Sequence, residues 1–224
     1  MAAVATKKKE LTGWETFDIA VRHLRVVYVW GPPGVAKTFH SINLLTQHLH
    51  KYVGAEAVPT VTTLNEDKVW QEIMGHYLPT DGGGMKFHLG PAAEALKHGA
   101  LIVNELVRAS GAVLDGMLEV MDGERVAQIS MPDGSCISPH KHFKMICTSN
   151  SPVTELDPAL QDRMQVVIKV NEPHPDTVAA LNKGYKGLGD IICNSYKNTS
   201  HAISVRAGFT FAELVKQRVD LDIA

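Results

Sequence analysis

The stretch Val26-Val27-Tyr28-Val29-Trp30-Gly31-Pro32-Pro33-Gly34-Val35-Ala36-Lys37-Thr38 decides how the rest of the chain is read. Its first five residues form a continuous, largely β-branched apolar run, as expected of a strand covered on both faces. Gly31 to Thr38 is a glycine- and proline-rich turn. From Thr38 to Tyr52 apolar residues recur at helical spacing (Ile42, Leu45, Leu49). Strand, tight turn and helix N-terminus together make the setting of a phosphate-binding loop, whose N–H groups converge on an anion beside the positive end of a helix. In that reading Gly31, Pro32, Pro33, Gly34, Val35, Ala36, Lys37, Thr38 and Phe39 surround a nucleotide. Lys37 reaches the β/γ oxygens and the Thr38 hydroxyl holds Mg²⁺. Ala36 stands where the strict G-x-x-x-x-G-K-[ST] form has its last glycine. Its methyl disfavours positive φ, so a negative φ is expected there.

Working outward, two further apolar runs end in polar residues. Ala100-Leu101-Ile102-Val103 leads into Asn104-Glu105, and Phe143 to Cys147 leads into Thr148-Ser149-Asn150. A strand ending in two polar residues suits a metal-binding and water-activating pair. Asn104 can hold a metal-bound water but brings no charge, and Glu105 is the candidate general base. Asn150 is placed to orient the attacked water, although Ser-Asn after a strand is also ordinary turn chemistry. Arg163 ends a short helix before the strand Gln165 to Val170, and its plainer reading is an ion pair with Asp162. Arg206 opens an amphipathic segment from Val205 to Val219, and could equally be a solvated helix-start arginine.

Between these sites the chain alternates strand-like and helix-like segments, which implies a parallel, three-layer α/β core. Helices are expected at Trp14 to Leu24, Glu66 to Met74, Pro91 to His98, Ala112 to Met121 and Pro158 to Met164, with a further β-rich run over Ala57 to Leu64. Two irregular stretches read as hairpins, one near residues 77–90 around Gly82-Gly83-Gly84, the other near residues 126–140 around Pro132-Asp133-Gly134-Ser135. The organisation expected is a flexible tail over residues 1–12, an α/β core over 13–172 and a small helical lid over 173–224. The lid has room for about three helices at ~10 residues each.

The 224 residues carry a formal net charge of −2, with 45% hydrophobic and 21% charged residues, so there is no global pull toward nucleic acid or anionic membrane. No run approaches the ~18 to 20 apolar residues of a membrane span. Lys7-Lys8-Lys9 has no apolar segment behind it and does not read as a secretory signal. Cys136, Cys147 and Cys193 form no C-x-x-C, which fits free thiols in a reducing, cytoplasmic setting. His48-x-His50 and His140-x-His142 lack a nearby third ligand and are expected not to bind metal. Asn198-Thr199-Ser200 has the form of a glycosylation sequon, without relevance in a cytoplasmic protein.

In order along the chain, these sites resemble the AAA+ ATPase superfamily, and within it the MoxR-like, dynein-related (AAA_5) branch. Gly-Pro-Pro-Gly-x-Ala-Lys-Thr is a common form of the loop there. Asn104-Glu105-Leu106-Val107-Arg108-Ala109, with Leu114 to Met121 and Gly123-Glu124-Arg125-Val126, is similar to that branch's D-E-I-N-R-A…L-L-E-x-M-x-E-x-x-V. Thr148-Ser149-Asn150 matches sensor 1, Arg163 the arginine finger, and Ser204-Val205-Arg206 the sensor 2 motif, usually S-P-R. The resemblance implies ATP and Mg²⁺ as ligands. It also implies an oligomer, commonly a hexameric ring, in which the neighbour's Arg163 completes each site. Both hairpins then face the pore or ring surface, and Tyr77, Phe87 and His88 are candidates for gripping a protein substrate or for packing the hairpin base. Three functions stay open: a ring motor or remodelling chaperone, a nucleotide-gated scaffold with slow or vestigial hydrolysis, to which Asn104 in place of the usual Asp points, and, disfavoured by charge, a DNA-acting motor. With no recruiting domain at either end, target choice is expected to come from the pore loops or a partner protein.

Overall fold

The computed structural model describes residues 10–122, 128–198 and 202–217. The tail up to residue 9, the start of the second hairpin with Gly123 to Val126, the hydroxyl residues of the sequon and Val219 lie outside the described residues. The chain runs α1 (Gly13–His23), β1 (Val26–Trp30), α2 (Lys37–Tyr52), β2 (Thr60–Thr63), α3 (Trp70–Met74), β3 (Gly75–Pro79), β4 (Met85–Leu89), α4 (Pro91–His98), β5 (Ala100–Asn104) and α5 (Gly111–Met121). It continues through β6 (Ile129–Ser130), β7 (Cys136–Ile137), β8 (Lys144–Ser149), α6 (Pro158–Arg163), β9 (Val166–Lys169), α7 (Pro175–Gly184), α8 (Leu188–Asn198) and α9 (Val205–Lys216).

The main sheet has five parallel strands in the order β2-β5-β8-β1-β9. The inner strands β1, β5 and β8 are buried on both faces, while the edge strands β2 and β9 each bury only one. Val26 and Tyr28 of β1, with Leu101 and Val103 of β5 and Met145 and Cys147 of β8, pack under α3, α4 and α5. Val27 and Val29, with Ala100, Ile102 and Ile146, pack under α1 and α2, which contribute Trp14, Phe17, Leu45 and Leu49. Cys147 is a core residue, and burial pushes its thiol well above the usual range. The register aligns the carboxyl ends of the strands: Thr63 pairs with Asn104, Asn104 with Thr148, and Trp30 with Ser149. Polar residues at the ends of three strands therefore meet along one edge, where open parallel sheets bind their ligands.

The helix ends follow local chemistry. Thr12 and Glu15 form a reciprocal capping box on α1. Asp157 caps α6 and Ser204 caps α9. Both expected hairpins form, one as β3 against β4 and the other as β6 against β7. The segment before α3 is less helical than its apolar spacing suggests, since helix begins only at Trp70. Phe87 packs against the core and covers Gly75, where a Cβ would come within 2.5 Å of its ring, so it anchors the hairpin base. Tyr77 and His88 stay exposed. The last three helices gather around a cluster of their own: Leu181, Leu188, Ile192, Val205 and Ala212. Among the described residues no helix is long and apolar enough to cross a membrane.

Candidate functional site

The loop between β1 and α2 holds two left-handed residues, Gly34 at φ 79° and Ala36 at φ 74°. Alternating left-handed and ordinary residues turn successive N–H groups toward one concavity, the geometry of an anion nest. The expectation of a negative φ at Ala36 is thus wrong. The nest needs a left-handed residue at the start of α2, and the loop imposes it on alanine despite the Cβ.

Lys37 is buried and spends three donors on three oxygens: Gly31 O at 2.8 Å, Pro32 O at 2.8 Å and Asn150 Oδ1 at 2.9 Å. Burial lowers its pKa to about 8, with Glu105 acting in the opposite direction. Asn150 then donates from Nδ2 to Glu105 Oε1 at 2.9 Å, so Lys37, Asn150 and Glu105 form one hydrogen-bonded row. Glu105 is itself left-handed, at φ 56°, just beyond β5, and its N–H donates to Thr148 O at 2.8 Å. That backbone turn, unusual for a residue with a Cβ, keeps its carboxylate beside Asn150.

Asn104 points to the α2 side of the sheet, like Ala100 and Ile102, because side chains along a strand alternate. Its Oδ1 accepts from the hydroxyls of Thr38 and Thr148, both at 2.9 Å, and its Nδ2 donates to Thr63 Oγ1 at 3.3 Å. The Thr38 hydroxyl, donating its proton to Asn104, keeps its lone pairs for a cation. Thr38 and Asn104 are neutral oxygen donors of the kind Mg²⁺ accepts alongside water and phosphate.

A cleft of about 870 Å³ lies between the loop and the C-terminal helices, bounded by Pro33, Gly34, Lys37, Thr38, Glu105 and Asn150 on one side and Thr177, Ser204, Arg206 and Phe209 on the other. Phe39 lines it too and is 62% exposed. Arg206 thus faces the cleft. Arg163 lies elsewhere, with Nε and a terminal nitrogen bound to Asp122 Oδ2 at 2.7 and 2.6 Å and the other terminal nitrogen donating to Ala159 O at 2.9 Å. Its ion-pair partner in its own chain is Asp122, not the neighbouring Asp162. Ile42, Thr177 and Phe209 also line the cleft and were missed from the sequence. Ile42 stands one helical turn after Thr38, and Phe209 one turn after Arg206, so the i, i+3 and i, i+4 rule would have found both. Thr177 carries no such signal.

Asp18, His40 and His174 meet where α1, α2 and the start of α7 join, with their ligand atoms within 4.8 Å of one another. His40 contacts Asp18 at 2.6 Å, and the two imidazoles stack at 3.7 Å with 27° between their planes. Rings stacked this way aim their lone pairs side by side instead of at one ion, so the cluster reads as a packed joint. Burial and then His40 hold the His174 pKa below its ordinary value, and the ring accepts the N–H of Asp176 as the cap of α7. His48 and His142, from the two His-x-His pairs, meet around Tyr52.

The fold is the parallel α/β core of a P-loop protein followed by C-terminal helices. The family of the AAA domain (dynein-related subfamily) matches residues 27–164, and the chain belongs to it, and with it to the AAA+ ATPase superfamily. A stretch of 84 residues is 32% identical to midasin of Dictyostelium discoideum; it covers 37% of this chain and 1% of midasin. Two solved structures share the fold. One, from Cytophaga hutchinsonii, described as a candidate ATPase, has a TM-score of 0.55 at 14% identity over 90% of this chain and 56% of its own. The other, NtrX of Brucella abortus, has a TM-score of 0.58 at 16% identity over 95% of this chain and 52% of its own. The chain thus spans about half the length of these two structures and a small fraction of midasin.

Proposed function

We propose that this chain is a Mg²⁺-dependent ATPase of the MoxR-like kind, working as an oligomeric ring, commonly a hexamer, that remodels a protein substrate. The cleft carries this reading: nest, Lys37, Thr38, Glu105, Asn150 and Arg206 all face one space. The nest and the Lys37 ammonium hold the triphosphate. A magnesium ion held by the Thr38 hydroxyl and, through water, by Asn104 would neutralise charge on the phosphate oxygens. Glu105 takes the proton of the attacking water, and Asn150, already bound to Glu105, orients that water. The neighbour's Arg163 stabilises the charge that develops on transfer, for which it must exchange Asp122 for phosphate. Arg206 carries the state of the γ-phosphate to the C-terminal helices, which form the lid.

Steady-state phosphate release tests the reading. Glu105→Gln abolishes turnover and keeps ATP binding, and Arg163→Ala does the same. An Arg163→Ala protein that hydrolyses normally refutes the shared site. Asn104 favours a second reading, a nucleotide-gated scaffold, because the metal loses a charged partner there; a wild-type protein that binds ATP without measurable turnover supports it. A salt-dependent mobility shift with DNA would instead favour a DNA-acting motor.

A further inference from the structure

Four consecutive carbonyls of the phosphate loop each have a donor. Gly31 O and Pro32 O take Lys37 Nζ. Pro33 O takes the hydroxyl of Tyr196 in α8 at 2.8 Å. Gly34 O takes the backbone N–H of Val205, the first residue of α9, at 3.0 Å. The first two partners belong to the loop's own helix, and the last two come from the C-terminal helices. A peptide unit is planar and trans, so its C=O and N–H point in opposite directions. Pinning Pro33 O fixes the direction of the Gly34 N–H, and pinning Gly34 O fixes that of the Val35 N–H. Both are amides of the nest.

The surroundings are built for this contact. The Tyr196 ring packs against the core cluster under α1 and α2 and also against the cluster of the C-terminal helices. Burial raises its phenol pKa, so the hydroxyl stays a donor. A Cβ at residue 34 would come within 2.5 Å of Ser204 Cβ and 3.0 Å of the Tyr196 hydroxyl, so the helices close directly on the loop backbone.

We propose that Tyr196 and the Val205 N–H are positioning groups that hold the phosphate loop in its anion-binding form. For the identity of the anion this rests on the nucleotide reading above; the loop geometry stands apart from it. Each contact is a neutral hydrogen bond, whose loss corresponds to roughly a three- to tenfold change in affinity.

Two variants of the full chain remove one donor each. Tyr196→Phe keeps the ring in both clusters. Val205→Pro sits at the first position of a helix, which suits proline, after an extended Ser204. Amide hydrogen exchange in the free protein and binding of a fluorescent ADP analogue are measured on both and on the double variant. The expected result is faster exchange at residues 34–38, unchanged exchange in β1 and β5, and several-fold weaker binding, largest in the double variant. A double variant with wild-type loop exchange and affinity overturns the proposal, as does one in which all amides speed up together. Faster loop exchange in the variants, with a wild type that binds no analogue, upholds the positioning of the loop and overturns the nucleotide reading alone.

Discussion

Replacing Ala36 by glycine should stabilise the protein. Ala36 sits at φ 74° and ψ 25°, in the left-handed region, and opens α2 without a side-chain cap of its own. A Cβ in that conformation costs about 1–2 kcal/mol. Glycine removes this cost but gives the unfolded chain more freedom, which takes back about 0.4–1 kcal/mol. Taking the middle of each range, the net gain is about 0.5–1 kcal/mol. For a chain of this size each kcal/mol moves the melting temperature by about 2–4 °C, so the expected rise is about 1–4 °C. Urea unfolding followed by tryptophan fluorescence gives the free energy, and a thermal scan gives the shift. Ala36→Val supplies the opposite arm, because a β-branched side chain is worse still at positive φ. If Ala36→Gly proves equal to or less stable than wild type, residue 36 is not held left-handed in solution and the nest argument fails.

Two other outcomes follow from the same site. Lys37 has a folded pKa of about 8 against 10.5 for the free side chain. Between those values the unfolded chain binds more protons, so conformational stability rises with pH from about 8 toward 10.5. The ammonium that attracts phosphate is lost over the same range, so ADP-analogue affinity falls as pH rises through about 8, and Glu105→Gln, which removes the group that raises this pKa, moves the fall to lower pH; affinity flat to pH 10 would refute this. Asn104→Asp keeps both hydroxyl donors on its oxygen and gives up only the 3.3 Å bond to Thr63. Its stability should therefore stay within about 1 kcal/mol of wild type, while phosphate release rises if Asn104 acts as a brake. An unchanged rate at saturating Mg²⁺ would show that the charge is immaterial.

Most strands and helices were legible because each has a local cause. Continuous apolar runs gave the inner strands, glycine triplets and Pro-Asp-Gly-Ser gave the hairpins, and Pro91 marked the start of α4. The run from Glu66 to Trp70 misled because its apolar spacing suits a helix while the chain there is still leaving β2. The residues of the phosphate loop were legible too, but the backbone of Ala36 was not. Alanine's own preference is against positive φ, and only the closure of the loop onto α2 and the C-terminal helices overrides it.

By itself the sequence determined the parallel α/β class, the loop, and the polar ends of two strands, since periodicity, turn chemistry and side-chain type are properties of short segments. Which of those ends would share a cleft, that Arg163 rests on Asp122, and that Tyr196 and Val205 close on the loop were decided only by tertiary structure. Strand order, register and the packing of α8 and α9 bring together residues far apart in the chain, such as Tyr196 and Pro33 at 163 positions, and no local pattern encodes such a meeting.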